Sequence, residues 1–312
     1  MTAPRTTGIV FLGAFILFSY HLPALALCQA QSAAVAAPAP MRTAAAAASP
    51  SAGNQAVDLE DADSLLRAAV PRTLSNRRQS MAYTYTIDYR NRNYTLRGKP
   101  LTDYTAKYEV IFVAGLPYRR QIEENRRPLT GQAAADEARR YDEAFAERSR
   151  MSLDQKRDYL RRPWNVDVPL PQLPSLFANR IVGEETVDGR PAIVVESLPR
   201  PDAQPIDEEE RRALNKQVKL WIDREDLIVS RVEATLVAED ASMKPGTVAR
   251  LDFFRKDGVW LPAESDVRFE AMAGSEAVRG ETTELNSDFQ RFRVDVRLLE
   301  PADPIAGGHQ AQ

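Results

Sequence analysis

Apolar and polar residues alternate with a period of two along much of the chain between positions 83 and 299. That period places successive side chains on opposite faces of an extended backbone, so it predicts strands with one face toward a core. The clearest case is 218–234. Val218, Leu220 and Ile222 alternate with Lys219, Trp221 and Asp223, the polar run Asp223 to Asp226 breaks the pattern, and Ile228, Val232, Ala234 and Leu236 form one face of a second strand. Two alternating runs around a polar break predict a hairpin. The same pattern recurs upstream. Tyr83, Tyr85, Ile87 and Tyr89 share one face, Leu96 to Pro100 turns the chain, and Tyr104, Ala106, Tyr108, Val110 and Phe112 share the next. Ala114-Gly115 then leads into a third strand over 116–123, ended by Asn125-Arg-Arg-Pro128. Consecutive hairpins make a meander. Downstream, strands over 175–187 and 190–198 flank Asp188-Gly189, and strands over 247–255 and 259–271 flank Lys256-Asp-Gly258. A last strand is expected over 281–299, where Phe292, Val294, Val296 and Leu298 alternate with charged residues.

Other stretches depart from this period. Asp61-Ala-Asp63 precedes Leu65, Leu66, Ala69 and Val70, which predicts a helix with an acidic first turn. Pro71 should kink or end it, with a second short helix continuing to Gln79. Residues 130–161 are rich in Ala, Glu, Arg, Lys and Gln, with apolar positions at Ala138, Tyr141, Phe145, Met151, Leu153 and Leu160. This predicts one long helix or two short ones, charged on the outer face. Pro163 stops it, and 163–174 reads as an extended proline-rich crossing; a further short helix is expected from Asp207 to Leu214. The fold class is therefore α+β, mainly antiparallel β, with about ten strands and one helical insertion.

The ends of the chain read differently. Residues 1–28 predict a secretory signal segment: Arg5 supplies the positive start, Gly8 to Tyr20 the apolar run, and Ala24-Leu-Ala26 a cleavage candidate. The run is short for a membrane span and is interrupted by His21 and Pro23. Leu25-Ala-Leu-Cys28 resembles a bacterial lipobox, in which the cysteine is lipidated, although Leu27 stands where Gly, Ala or Ser is usual. Cys28 is thus either a lipid attachment point or incidental to ordinary cleavage. Residues 29–57 are Ala- and Pro-rich and carry too few bulky apolar side chains to offset ordering entropy, so a disordered linker is expected. One domain is expected over 58–300, followed by a frayed tail over 301–312.

Composition narrows the chemistry. The 312 residues include two histidines, His21 and His309, and one cysteine, Cys28, all outside the expected domain. The body therefore has no imidazole proton shuttle, no thiol nucleophile, no Ser-His-Asp triad, no disulfide and no His/Cys metal site. Carboxylate chemistry and an oxygen-ligand calcium site are what remain. Asp207-Glu-Glu-Glu210 is read more simply as an acidic helix N-terminus, and Asp223, Glu225 and Asp226 as a solvated hairpin tip. No catalytic residue, metal or cofactor is expected. The net charge of −3, with basic residues only in doublets such as Arg77-Arg78 and Arg161-Arg162, argues against a nucleic-acid partner.

Several motifs occur in one order: Tyr83-Thr-Tyr-Thr-Ile-Asp88, Val113-Ala-Gly-Leu-Pro-Tyr-Arg-Arg120, Glu124-Asn-Arg-Arg-Pro-Leu129, Glu185-Thr-Val-Asp-Gly-Arg190, Leu220-Trp-Ile-Asp223, Asp257-Gly-Val-Trp-Leu-Pro262 and Asp288-Phe-Gln-Arg-Phe292. In that order, with the helical insert between Leu129 and Glu185, the chain resembles the outer-membrane lipoprotein-sorting (LolA/LolB-like) superfamily, specifically its larger bacterial envelope members. The resemblance implies a curled half-barrel with the N-terminal helix and helical insert on its concave side. It implies no catalytic residues, and it implies acyl chains of a lipid or lipoprotein as ligand, with a periplasmic or outer-membrane location. Tyr83, Tyr85, Tyr89, Tyr104, Tyr108, Trp221 and Trp260 are the candidate cavity lining, because aromatic side chains offer apolar area with a polar tip; ordinary cross-strand packing is the simpler alternative. A monomer is expected. A sensor or protein-interaction module on the same fold, with an envelope protein as partner, is the alternative function.

Overall fold

The computed structural model describes residues 59–161, 170–240, 243–273 and 276–292. The expected signal segment, Cys28, the 29–57 linker, strand residues 293–299 and the tail lie outside the described residues.

Helix α1 (Ala62–Ser80) opens the domain. Asp61 is its N-cap, accepting from Ser64 N–H at 2.8 Å, and the Ser64 hydroxyl together with that N–H holds the Asp61 carboxyl below its ordinary pKa. Pro71 neither ends nor divides α1, contrary to the expected break. Pro71 sits on the exposed face, while Leu65, Leu66, Ala69 and Val70 are buried on the other, so packing of that face sustains the helix past the missing backbone donor.

The strands follow as β1 (Tyr83–Thr95), β2 (Pro100–Val113), β3 (Leu116–Glu124) and β4 (Arg127–Pro128). The insert is two helices, α2 (Gly131–Arg150) and α3 (Leu153–Arg161). Ser152 separates them: its hydroxyl accepts from Gln155 N–H at 3.2 Å and Gln155 Oε1 accepts from Ser152 N–H at 2.8 Å, a reciprocal capping box. Where the proline-rich crossing was expected to run extended to 174, a 3-10 turn (Leu170–Gln172) passes into α4 (Leu173–Leu176). Pro174 lies in the first turn of α4, where a missing N–H costs nothing. Next come β5 (Phe177–Val187), β6 (Arg190–Pro199), α5 (Glu208–Ala213), β7 (Lys216–Asp223), β8 (Val229–Leu236), β9 (Val248–Lys256), β10 (Val259–Ala273) and β11 (Glu276–Arg291). The last strand thus starts earlier than the 281–299 pattern suggested, and the part of that pattern beyond 292 lies outside the described residues.

All eleven strands form one antiparallel sheet in the order β4-β3-β2-β1-β11-β10-β9-β8-β7-β6-β5. The edge strands β4 and β5 do not pair, so the sheet is a curled half-barrel and not a closed barrel. Asp188 and Gly189 join β5 to β6, and Asp257 and Gly258 join β9 to β10, with φ of 51°, 72°, 51° and 78°. Two positive φ values in a row define the hairpin turn whose twist matches its strands, which is why Asp-Gly occupies both.

Register identifies the faces. Val195, Leu220, Val232, Leu251, Ser265, Glu284 and Tyr89 are successive cross-strand partners from β6 to β1 and so share one face. On the β5–β10 half this face is the main core: Leu65, Leu66 and Ala69 of α1 and Leu173 and Leu176 of α4 pack onto Val195, Leu220, Val232 and Leu251. The helices therefore mark the concave side.

Candidate functional site

Among the described residues, the concave face of the other half is only partly covered. Where α1 ends, a cavity of about 200 Å³ lies between its last turn, the inner face of β1–β3 and β9–β11, and the end of α3. Ile87, Val110 and Leu251 supply apolar walls, Tyr83 and Tyr85 aromatic ones, and Tyr159 and Leu160 of α3 close one side.

The insert reaches the cavity by an indirect route. Tyr118 pairs with Ile111 and Arg119 with Val110, so Tyr118 points to the outer face and Arg119 to the inner. Contrary to the expectation of an insert on the concave side, helix α2 packs on the outer face: Tyr118 Oη donates to Glu137 Oε1 at 2.8 Å, and the Tyr118 and Tyr141 rings meet edge to face at 5.7 Å. Burial and the Glu137 carboxylate both push the Tyr118 hydroxyl well above its ordinary pKa. Arg148 then lies over both the Tyr118 and Tyr159 rings, 5.3 Å from each, and its Nη2 donates to Tyr159 Oη at 2.9 Å. Lys156 Nζ donates to Ala114 O at the tip of the β2–β3 hairpin at 2.8 Å. Helix α3 is thus fastened around that tip, and the concave side receives its last residues.

Three charged residues line the cavity: Arg77, Arg119 and Glu284. Arg119 Nη2 is 2.7 Å from Glu284 Oε2, with the guanidinium over the Tyr108 ring at 5.6 Å. Burial would lower the Arg119 pKa, but the Glu284 carboxylate outweighs it and the net direction is up. Arg119 keeps 35 % of its side-chain surface accessible because it opens on the cavity, although protein surrounds it. Burial likewise raises the Tyr85 and Tyr108 hydroxyls.

The seven aromatic candidates separate into three groups. Tyr83 and Tyr85 line the cavity, and Tyr85 stacks on Phe289 with ring centroids 4.9 Å apart. Tyr89, Tyr104 and Tyr108 continue the same inner face beyond it: the Tyr89 ring meets those of Tyr104 and Tyr108 edge to face at 6.1 and 6.2 Å, and Gln121 Nε2 donates to Tyr104 Oη at 3.2 Å. The two tryptophans were expected at the cavity and are not there. Trp221 is on the outer face with Val187, Ala192 and Val194, roofed by Lys219 and Arg231, and its Nε1 donates to Glu185 at 2.8 Å. Trp260 is fully buried in the α1 core, its Nε1 donating to Asp226 Oδ2 at 2.9 Å. Sequence reasoning missed Arg119, Glu284, Tyr159 and Leu160. The strand period could have found Arg119, since it alternates with Tyr118 on the face of Pro117 and Gln121; nothing local placed α3 beside β1.

The carboxylate clusters hold no cation site. Asp207 is the N-cap of α5, accepting from Glu210 N–H at 2.8 Å. The β7–β8 turn is not a solvated tip. Asp223 is 1 % exposed in its side chain and takes two bonds from Arg190, at 2.7 and 2.9 Å, plus Glu225 N–H and Asp226 N–H. Asp226 Oδ2 lies 2.9 Å from Arg255 Nε. Among the described residues no group of three or more His, Cys, Asp or Glu could hold a metal ion, and no helix is long and apolar enough to cross a membrane.

An open, curled antiparallel sheet with helices on its concave side is the class this geometry defines. No family model matches the chain, and no curated protein matches it. Among solved structures it is similar to a domain assigned to outer-membrane lipoprotein sorting from Vibrio parahaemolyticus, at 10 % identity over 72 % of this chain and 92 % of that one, with a TM-score of 0.33. It is also similar to a LolA superfamily protein from Nitrosomonas europaea (11 % identity, 71 % and 94 % covered, TM-score 0.27). A third is the Mycobacterium tuberculosis lipoprotein LppX (13 %, 75 % and 98 %, 0.26).

Proposed function

We propose that this chain is a non-catalytic cell-envelope protein that takes an apolar or lipidated ligand into the concave cavity. The observation that supports the reading is the cavity itself: a concave, mainly apolar and aromatic lining with a few convergent polar groups is the usual composition of a ligand site. The absence of histidine and cysteine from the domain, read from the sequence, favours binding over chemistry. Purified full-length protein is to be incubated with lipid vesicles, re-isolated and extracted, and the extract analysed by mass spectrometry. Stoichiometric lipid in the extract is expected. Protein that takes up nothing contradicts the reading.

A second reading, a protein-interaction or sensor role, is supported by the insert, which leaves Phe145 at 53 % and Leu153 at 75 % exposure. Under it, Phe145→Ser with Leu153→Ser abolishes capture of an envelope partner while lipid uptake persists.

A further inference from the structure

The concave face continues past the cavity. Ile87, in the cavity wall, is the cross-strand partner of Tyr108, and Tyr89 follows it on the same face of β1. From there the inner face of β1–β3 carries Tyr89, Asn91, Asn93, Tyr104, Tyr108 and Gln121, all half-buried and none charged. The outer face of the same strands is charged. Arg90 pairs there with Asp103 at 2.7 Å, Arg92 with Glu281 at 2.6 Å and Lys107 with Asp88 at 3.6 Å. The solvated face of these strands is thus built from ions, and the inner face from tyrosine rings and carboxamides.

The inner side chains hold one another in place. Asn91 Nδ2 donates to Thr282 Oγ1 at 2.9 Å, Asn93 Nδ2 to Asn91 Oδ1 at 2.7 Å and to Thr102 Oγ1 at 2.8 Å, and Gln121 Nε2 to Tyr104 Oη at 3.2 Å. A carboxamide gives two N–H bonds and accepts two at its oxygen, so Asn91 retains one of each beyond these bonds. A hydroxyl matches that pair, because it both donates and accepts. The Tyr89 ring meets those of Tyr104 and Tyr108 edge to face and stacks on neither, so the three rings spread apolar area over the face between the polar groups.

The charges at the border disfavour an ionic head. Arg119 is matched by Glu284 at 2.7 Å, and Glu124, opposite Ala106, adds a carboxylate to this face. An anionic head would have to displace Glu284 to reach Arg119 and would be repelled by Glu124. A cationic head would meet the Arg119 guanidinium, which already lies over the Tyr108 ring at 5.6 Å.

We propose that the ligand is a glycolipid-like amphiphile whose apolar chain enters the cavity and whose uncharged, hydroxyl-rich sugar head lies on Tyr89, Tyr104 and Tyr108 and bonds to Asn91 and Gln121. This rests on the cavity being a ligand site.

The test is isothermal titration of the full chain, below micellar concentration, with four amphiphiles that share a decyl chain: decyl maltoside, the decyl ether of tetraethylene glycol, decyl sulfate and decyltrimethylammonium. The common chain makes the differences report the head alone. Decyl maltoside is expected to bind about tenfold more tightly than the other three, the scale of two net hydrogen bonds. Asn91→Leu combined with Gln121→Leu should bring the maltoside within about twofold of the ether. The ether reads the chain in the cavity, which neither residue lines, so its binding in the double variant shows that the variant is folded. Should the variant fail to fold, the wild-type ranking decides by itself. Equal binding of maltoside and ether by the wild type, tighter binding of either ionic amphiphile, or a preference that survives in the folded double variant overturns the assignment of the head and leaves the cavity standing. Binding of none of the four sinks the cavity as a ligand site, and this inference with it.

Discussion

Asn76 Nδ2 donates to the Trp260 carbonyl while Asn76 Oδ1 accepts from Trp260 N–H, both at 2.8 Å. A side-chain amide here does the work of a neighbouring strand. Trp260 pairs with Arg255 of β9 on one side, but β11 joins β10 only from Glu264 onward. Asn76 satisfies the backbone edge that β11 leaves open, and it pins the last turns of α1 to the sheet beside the cavity. Asn76→Ala should cost about 2–4 kcal/mol, since it strands two buried backbone groups. Urea denaturation with an unchanged m-value would show it; a loss under about 0.5 kcal/mol would contradict this role.

Gly280 is closed to any side chain. A Cβ there would meet the Phe269 ring at 2.1 Å and Asn93 Oδ1 at 2.7 Å. Phe269, Gly280's partner across β10 and β11, folds its ring over the bare backbone and is 3 % exposed. Gly280→Ala should destabilise by about 1–3 kcal/mol, measured as a lowered Tm. Gly98→Ala, with nothing within 4 Å, would show only the smaller backbone strain of φ 81°.

Arg148 is the fastening of the insert. Truncating it to Ala removes its contacts with the Tyr118 and Tyr159 rings and its bond to Tyr159 Oη. Hydrogen exchange within α3 should accelerate at least about tenfold, while the central strands β7–β9 keep their protection. Acceleration spread evenly over the sheet would mean that Arg148 stabilises the whole domain and not the attachment of α3.

Asp223 gives the domain an acid-sensitive joint. Burial alone would raise its carboxyl; the Arg190 guanidinium and the N–H groups of Asp226 and Glu225 outweigh that and hold it below 3.8. A depressed folded value means that the pair contributes its stability above the unfolded pKa and loses it as pH falls through the folded one. Wild-type stability should therefore drop as pH is lowered below 3.8. Asp223→Asn should be about 3 kcal/mol less stable at pH 7 and should lose less on acidification. Parallel pH profiles for the two proteins would contradict this.

The strand period made most of the sheet legible, because alternation and turn chemistry are local. Asp188-Gly189 and Asp257-Gly258 announce their hairpins directly. Pro71 misled because the burial of Leu65, Leu66 and Ala69, a tertiary effect, overrides a local breaker. Pro174 misled because the same residue that breaks helices also starts them. Trp221 and Trp260 could not be assigned from their alternating runs, since the period says that a residue faces one side and not which side is concave. The cavity was half legible. Tyr83 and Tyr85 follow from the β1 pattern, whereas Arg119 needs the β2–β3 register, and Tyr159 and Leu160 need α3 to pass around a hairpin tip through contacts distant in sequence.

The central claim is that the concave cavity is where an apolar ligand binds. The most direct test fills it. Val110 lines the cavity, is 4 % exposed and faces inward opposite Arg119. Val110→Phe and wild type, with matching circular dichroism spectra, are to be compared for uptake of decanol by isothermal titration. Saturable uptake by the wild type and its loss in Val110→Phe are the result expected. Uptake that is unchanged by the filled cavity, or absent from both proteins, would contradict it.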